Sequence, residues 1–154
     1  MVLIRNAEHA IRRLLDFGFL CPVVTVQARI EKGLFTEAEF RYWFCEFSGA
    51  LGLDLKGPYV CPHRYTHRCA CEKPNRMLYE QAASDFELTL GGSYVIGDSP
   101  QDIRAAEQFG GIGCLVRTGW PITFERSSLH DAALDRHLTP GVAPTVVYAP
   151  PGAS

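Results

Sequence analysis

The hydrophobic positions of this 154-residue chain switch repeatedly between helical and strand-like spacing, the pattern of α/β units. Ala7, Ala10, Ile11, Leu14 and Leu15 recur at helical spacing behind Asn6, a candidate N-cap, and Gly18 supplies the stop. Residues 19–25 are a continuous apolar run of the kind a buried strand carries. Pro22 lacks a ladder donor, so the pairing is expected mainly over 23–25. Thr36-Glu37-Ala38-Glu39 is a capping box, and Phe40, Trp43, Phe44, Phe47 and Leu51 behind it form an aromatic stripe expected to face the core. Residues 59–71 have no helical period and are rich in Cys, His and Pro, so they read as a loop. Pro74 is placed in the first turn of a helix reaching about Phe86.

The second half continues the alternation. Residues 93–98 predict a strand, and Ser99-Pro100-Gln101-Asp102 a second capping box with Pro at N1. The helix behind it carries Ile103, Ala106 and Phe109 and stops at Gly110-Gly111, before a further strand over 113–118. Beyond Trp120 the pattern weakens, to a short helix near 131–137 and an edge strand over 145–149. One domain over 1–149, with a Cys-rich loop at 59–73, and a flexible tail at 150–154 are the expected organisation.

Composition narrows the classes of partner. A net charge of -2 supplies no basic surface for nucleic acid, and no run approaches the ~18 apolar residues of a membrane span. With no signal-peptide pattern near the start, a cytoplasmic location is the expectation. In a reducing compartment clustered cysteines more often hold metal than form disulfides. Cys21, Cys45 and Cys114 lie in apolar surroundings and are expected to be small buried hydrophobes.

The other three cysteines carry chemistry. Cys61-Pro62-His63, five residues, then Cys69-Ala70-Cys71 offer three thiolates and an imidazole in one short loop. That is a closed set of the kind structural Zn²⁺ prefers, with His67 as the alternative imidazole. A loop this polar buries little apolar surface, so a metal would supply its order. Asp98 stands where an apolar strand gives way to a helix, a place where a carboxylate can hold Mg²⁺ beside a phosphate. Asp102 is either a second carboxylate there or a helix cap. Thr25, with Gln27 two residues on, ends another strand, where a hydroxyl and backbone N–H groups can take phosphate oxygens. Lys73, next to a helix start, opposes the helix dipole and so calls for an anion.

Thr25, Lys73 and Asp98, in this order, resemble the second, third and fourth motifs of the haloacid dehalogenase (HAD) superfamily of phosphatases. Val23-Val24-Thr25-Val26-Gln27, Gly33-Leu34-Phe35-Thr36-Glu37-Ala38, Tyr59-Val60-Cys61-Pro62-His63, Cys69-Ala70-Cys71-Glu72-Lys73-Pro74 and Val116-Arg117-Thr118-Gly119 look like its subgroup IIIA. That subgroup contains the heptose bisphosphate and histidinol-phosphate phosphatases. The resemblance runs from about residue 3 to residue 120. It implies a Rossmannoid three-layer sandwich with a mostly parallel sheet and an inserted zinc loop. It also implies a hydrolase of sugar or small-molecule phosphates in carbohydrate metabolism. The counterparts of Thr25 and Lys73 bind phosphate and stabilise charge, with Gln27 beside the substrate. Asp98 holds Mg²⁺, and Cys61, His63, Cys69 and Cys71 hold a structural zinc.

In that family an aspartate of an Asp-x-Asp-Gly strand attacks phosphorus and forms an aspartyl-phosphate. No Asp-x-Asp occurs in these 154 residues, and Asp16, the aspartate preceding the Thr25 strand, falls in a helix. The middle strand of the sheet is therefore expected to be missing, with the strand over 145–149 as a candidate to fill the gap, and the chain to be inactive as written or to serve as a non-catalytic zinc-stabilised phosphate-ligand or protein-binding module. The family is expected to be monomeric, with self-association possible through the exposed sheet edges. Val26, Glu72 and Ser99 stand where the family usually has Asn, a basic residue and, in heptose enzymes, Lys.

Overall fold

The computed structural model describes residues 6–64, 68–116 and 145–147. Five helices and five strands lie in these stretches: α1 (Ala7–Asp16), β1 (Cys21–Val26), α2 (Ala28–Glu31), α3 (Glu37–Leu51), β2 (Leu55–Cys61), α4 (Met77–Asp85), β3 (Tyr94–Gly97), α5 (Pro100–Gln108), β4 (Ile112–Leu115) and β5 (Thr145–Val147). β1 pairs parallel with β2, setting Thr25 opposite Val60 and Val26 opposite Cys61, and β3 pairs parallel with β4. Each parallel pair is joined through helices, as parallel strands require.

The strands form two hydrogen-bonded sheets, one of β1 and β2 and one of β4, β3 and β5, and the two faces of this strand layer have separate cores. On one, Val24, Tyr59, Cys61 and Val95 pack with Leu78, Tyr79, Ala82 and Ala83 of α4 and Ala105 and Ala106 of α5. On the other, Cys21, Ile96, Cys114 and Val116 pack with Ala10, Leu14 and Leu15 of α1. The neighbours Val95 and Ile96 point to opposite sides, the period-two alternation of a strand buried on both faces. Helix, sheet and helix make three layers, the expected α/β sandwich. Among the described residues no helix is long and apolar enough to cross a membrane.

Several elements differ from their sequence expectations. Asn6 does not cap α1: its backbone is left-handed, at φ 68°, and its side chain makes no cap hydrogen bond. The first strand runs through Pro22, which is fully buried opposite Lys56, and the register slips between Pro22 and Val24 to accommodate it. In α3 the capping box forms as expected and Phe40 and Phe44 are buried, but Trp43 is 44% exposed. Trp43 lies to one side of the stripe and meets Phe35 edge-on, centroids 5.3 Å apart. Tyr59, Val60 and Cys61 are not loop but the buried end of β2, held by the ladder to β1.

Pro74 does not open α4, which begins at Met77 behind Arg76. The preceding residues are used in a turn instead: the Asn75 N–H donates to the Glu72 carbonyl at 2.9 Å and its side chain to the Cys69 carbonyl at 2.9 Å. Cys45 is exposed, whereas Cys21 and Cys114 are buried. Burial, then the charge of Asp54, pushes the Cys21 thiol up to about 12, so it stays neutral in the core. The expected helix near 131–137 and the tail at 150–154 lie outside the described residues.

The C-terminal strand is not an edge strand but takes the alternative place, the gap of the missing middle strand. β5 pairs antiparallel with β3 on the side away from β4, Thr145 opposite Ile96 and Val147 opposite Tyr94, and it lies alongside β1. It thus sits between the two parallel pairs, where a doubly wound sheet carries a middle strand, rather than at an outer edge.

Candidate functional site

The first cluster is a candidate metal centre. Cys61 ends β2, and the chain then turns so that His63, Cys69 and Cys71 face it. The four ligand atoms all lie within 4.8 Å of one another. Cys71 Sγ is 3.2 Å from Cys61 Sγ and 3.4 Å from Cys69 Sγ, Cys61 and Cys69 are 3.5 Å apart, and His63 Nδ1 is 3.2 Å from Cys71 Sγ. A tetrahedral zinc with bonds of about 2.3 Å to sulfur has edges of roughly 3.8 Å. The S₃N set matches that scale, and all three cysteines are free thiols. His67 lies outside the described residues, and the imidazole brought to the cluster is that of His63.

Without metal the Cys61 and Cys71 thiols hold their protons. Burial is the largest cause pushing Cys61 and Cys71 up, and hydrogen bonding among the sulfurs adds to it at Cys61. Zinc binds thiolates, so uptake must expel those protons. Apparent zinc affinity should therefore fall as pH is lowered, by roughly tenfold per unit for each proton displaced. Competition against a chromophoric chelator between pH 6 and 8 measures it; a flat profile would contradict thiol protonation in the metal-free loop.

The second cluster gathers around α5. Ser99 and Asp102 form the second capping box, the Ser99 side chain accepting from the Gln101 N–H at 3.2 Å and the Asp102 carboxylate from the Ser99 N–H at 3.3 Å. The other Asp102 oxygen accepts from Lys73 Nζ at 2.6 Å, in a pair whose side chains are 12% and 3% exposed. The anion that Lys73 calls for is thus Asp102, and the start of α4 lies four residues further on. Asp98, at the end of β3, is half-buried; burial first and the Asp102 charge second raise its pKa, against a smaller opposing pull from Lys73. Gly97 is compelled by this packing. A Cβ there would lie 2.3 Å from the Asp102 carboxyl carbon and oxygen.

The third group ends β1. Gln27 Nε2 donates to Thr25 Oγ1 at 2.9 Å, and the Gln27 N–H donates to the Cys61 carbonyl at 2.8 Å. The Thr25 end of β1 and the Cys/His loop are therefore neighbours, and the loop runs on through Cys71 to Lys73 and so to Asp102 and Asp98. Sequence reasoning leaves open whether Asp102 is a cap or a second carboxylate; the fold makes it both a cap and the partner of Lys73.

A HAD-hydrolase-like family model matches residues 70–146, half of the chain. The D-glycero-beta-D-manno-heptose-1,7-bisphosphate 7-phosphatase of Haemophilus ducreyi is 34% identical over 143 residues, taking in 86% of this chain and 79% of the relative. That of Escherichia coli K12 is 35% identical over 137 residues, with 82% and 72% covered. The chain belongs to the HAD superfamily of phosphatases, in the heptose bisphosphate phosphatase group.

Solved HAD structures agree. The D,D-heptose 1,7-bisphosphate phosphatase of B. bronchiseptica, complexed with magnesium and phosphate, matches with a TM-score of 0.66 at 31% identity, covering 75% of this chain and 66% of that one. A HAD-like phosphatase from Mesorhizobium loti shares the fold with a TM-score of 0.64 at 23% identity, covering 75% and 61%. This HAD chain thus spans about three-quarters of the length of the curated relatives and somewhat under two-thirds of the solved ones.

Proposed function

We propose that this chain is the phosphate- and metal-binding part of a HAD phosphatase acting on sugar or small-molecule phosphates of the heptose bisphosphate type. The observation that carries the reading is the linked constellation of Thr25, Lys73, Asp98 and Asp102 beside a Cys₃His loop. Thr25 Oγ1 donates to a phosphate oxygen, with Gln27 beside it. Lys73, anchored by Asp102, offers its remaining ammonium protons to the same charge. Asp98 holds Mg²⁺, which would screen the phosphate charge when bound. Its surroundings suit that ion: with the Asp102 charge engaged by Lys73, the half-buried Asp98 carboxylate is left with a negative charge that a hard dication would neutralise. Cys61, His63, Cys69 and Cys71 hold zinc as a structural ion, at about one per chain.

The covalent step needs a carboxylate nucleophile, and no Asp-x-Asp is present among these residues. The 154-residue chain is therefore expected to release no phosphate from sugar phosphates with Mg²⁺. Clear turnover in a molybdate phosphate assay would overturn that assignment of the nucleophile. A second reading, a non-catalytic zinc-stabilised module for a phosphorylated ligand, is favoured by β5, which runs antiparallel along the inner side of β3.

Asp98 gives a pH- and metal-dependent test. Its raised pKa means that the folded state favours the protonated form. The stability this confers is present at low pH and lost as pH rises through the folded pKa, so at neutral pH the bare carboxylate is a net cost. Mg²⁺ at a hundredfold excess over its Kd should raise the melting temperature by roughly 5–10 °C. Asp98→Asn should melt higher than the parent without metal and gain nothing from Mg²⁺. An unchanged Mg²⁺ response in that variant would remove Asp98 from the magnesium site.

A further inference from the structure

Three hydrogen bonds tie the turn after β1 to the arm of the Cys/His loop. The Gln27 N–H donates to the Cys61 carbonyl at 2.8 Å, the Glu31 N–H to the Pro62 carbonyl at 3.3 Å, and the Arg64 N–H to the Glu31 carboxylate. Cys61 is also one of the four clustered ligands, and its main chain is the last rung of the β1–β2 ladder, opposite Val26. From its other end Gln27 reaches back, its Nε2 donating to Thr25 Oγ1 at 2.9 Å. One residue therefore joins a metal-ligand carbonyl through its main chain to the Thr25 hydroxyl through its side chain.

The polarity of the second bond matters. A threonine hydroxyl has a single proton and accepts through its lone pairs. With the amide N–H of Gln27 donating to Oγ1, the hydroxyl proton points elsewhere and is available as a donor, which is what an anion at the end of β1 requires. Gln27 is half-buried and sits beside the anion site, and its amide carries no charge that would compete for the phosphate.

We propose that Gln27 is a positioning residue, fixing the Thr25 hydroxyl as a donor to phosphate and coupling that donor to the ligand geometry of the Cys/His loop. This rests on the phosphate-binding reading of Thr25. The path from ligand sulfur to anion site consists of two hydrogen bonds joined through the covalent frames of Cys61 and Gln27, so the coupling should run in both directions.

The test uses the full chain with metal bound, zinc replaced by Co²⁺ so that the visible d–d bands report geometry at the cluster. Inorganic phosphate with Mg²⁺ is the probe, its affinity measured by calorimetry. In the parent, phosphate should bind and shift the cobalt bands. Gln27→Leu, which cannot donate to Thr25, should bind phosphate roughly threefold to tenfold more weakly, the worth of one neutral hydrogen bond, and Gln27→Glu, which also sets a negative charge beside the anion, should bind it more weakly still. At saturating phosphate their cobalt bands should not move. A purely structural role would not separate band shift from affinity in this way. Variants that bind as tightly as the parent, variants whose bands still shift, or a parent whose bands stay fixed would each overturn the proposal. Failure of the underlying reading looks different: Thr25→Val would then bind phosphate as tightly as the parent, or the parent would bind none.

Discussion

Replacing Asp102 with alanine is expected to destabilise the folded chain by about 3–5 kcal/mol, because it strands the Lys73 ammonium without its counter-charge where water hardly reaches. A further ~1 kcal/mol goes with the cap, since the same carboxylate accepts from the Ser99 N–H. Urea unfolding measures the difference. The cost is one of an unpaired buried charge, not of a lost attraction, so adding Lys73→Met to Asp102→Ala should recover most of it. Gly97→Ala should reproduce part of the effect without touching either charge, since its Cβ would fall 2.3 Å from the Asp102 carboxyl and must displace it. If Asp102→Ala and the double variant were equally destabilised, the lysine would not depend on this partner.

Loss of one sulfur from the Cys/His loop is the other large effect. Structural zinc contributes about 10–16 kcal/mol of apparent binding energy in zinc fingers, comparable with the whole stability of a typical domain. Cys71→Ser should lose most bound zinc and lower the melting temperature by on the order of 10 °C or more. Cys71 is buried in the core shared by α4 and α5, so the damage should spread beyond the loop. Cys45→Ser is the control, for that thiol is exposed and remote from the cluster, and it should change neither quantity. Metal analysis by mass spectrometry alongside scanning calorimetry decides the matter; a zinc-free parent that melts like the parent with zinc would remove the loop's structural role.

Much of this architecture is legible in the residues themselves, for reasons that differ by scale. Both capping boxes can be read directly because Thr36 with Glu39, and Ser99 with Asp102, are satisfied within four residues. The Cys/His cluster is legible for the same reason, its ligands spanning eleven positions of one loop. Composition misleads where pairing is long-range. Tyr59 to Cys61 look like loop because Cys, His and Pro crowd the segment, yet the ladder to β1 makes them strand. Trp43 fits the helical stripe in spacing, but the width of the buried face is set by what α3 packs against, and that face runs through Phe40, Phe44 and Ser48.

The candidate phosphate site shows the same division. Thr25 and Asp98 stand out locally, each where an apolar strand ends. The Lys73–Asp102 pair joins residues 29 positions apart, and no local rule couples them. Gln27 reads as a substrate contact in sequence; the fold adds its bond to Thr25, which no spacing rule orients. The reversed direction of β5 is equally hidden, since three β-branched residues fit a parallel or an antiparallel neighbour alike.

A crystal of the chain grown with magnesium and inorganic phosphate tests most directly whether one anion is shared by the ends of β1 and β3 and the turn that carries Lys73. The expected result is a single phosphate within hydrogen-bonding reach of both Thr25 Oγ1 and Lys73 Nζ, with the metal on the Asp98 carboxylate. Phosphate found elsewhere, or a metal that ignores Asp98, would contradict it.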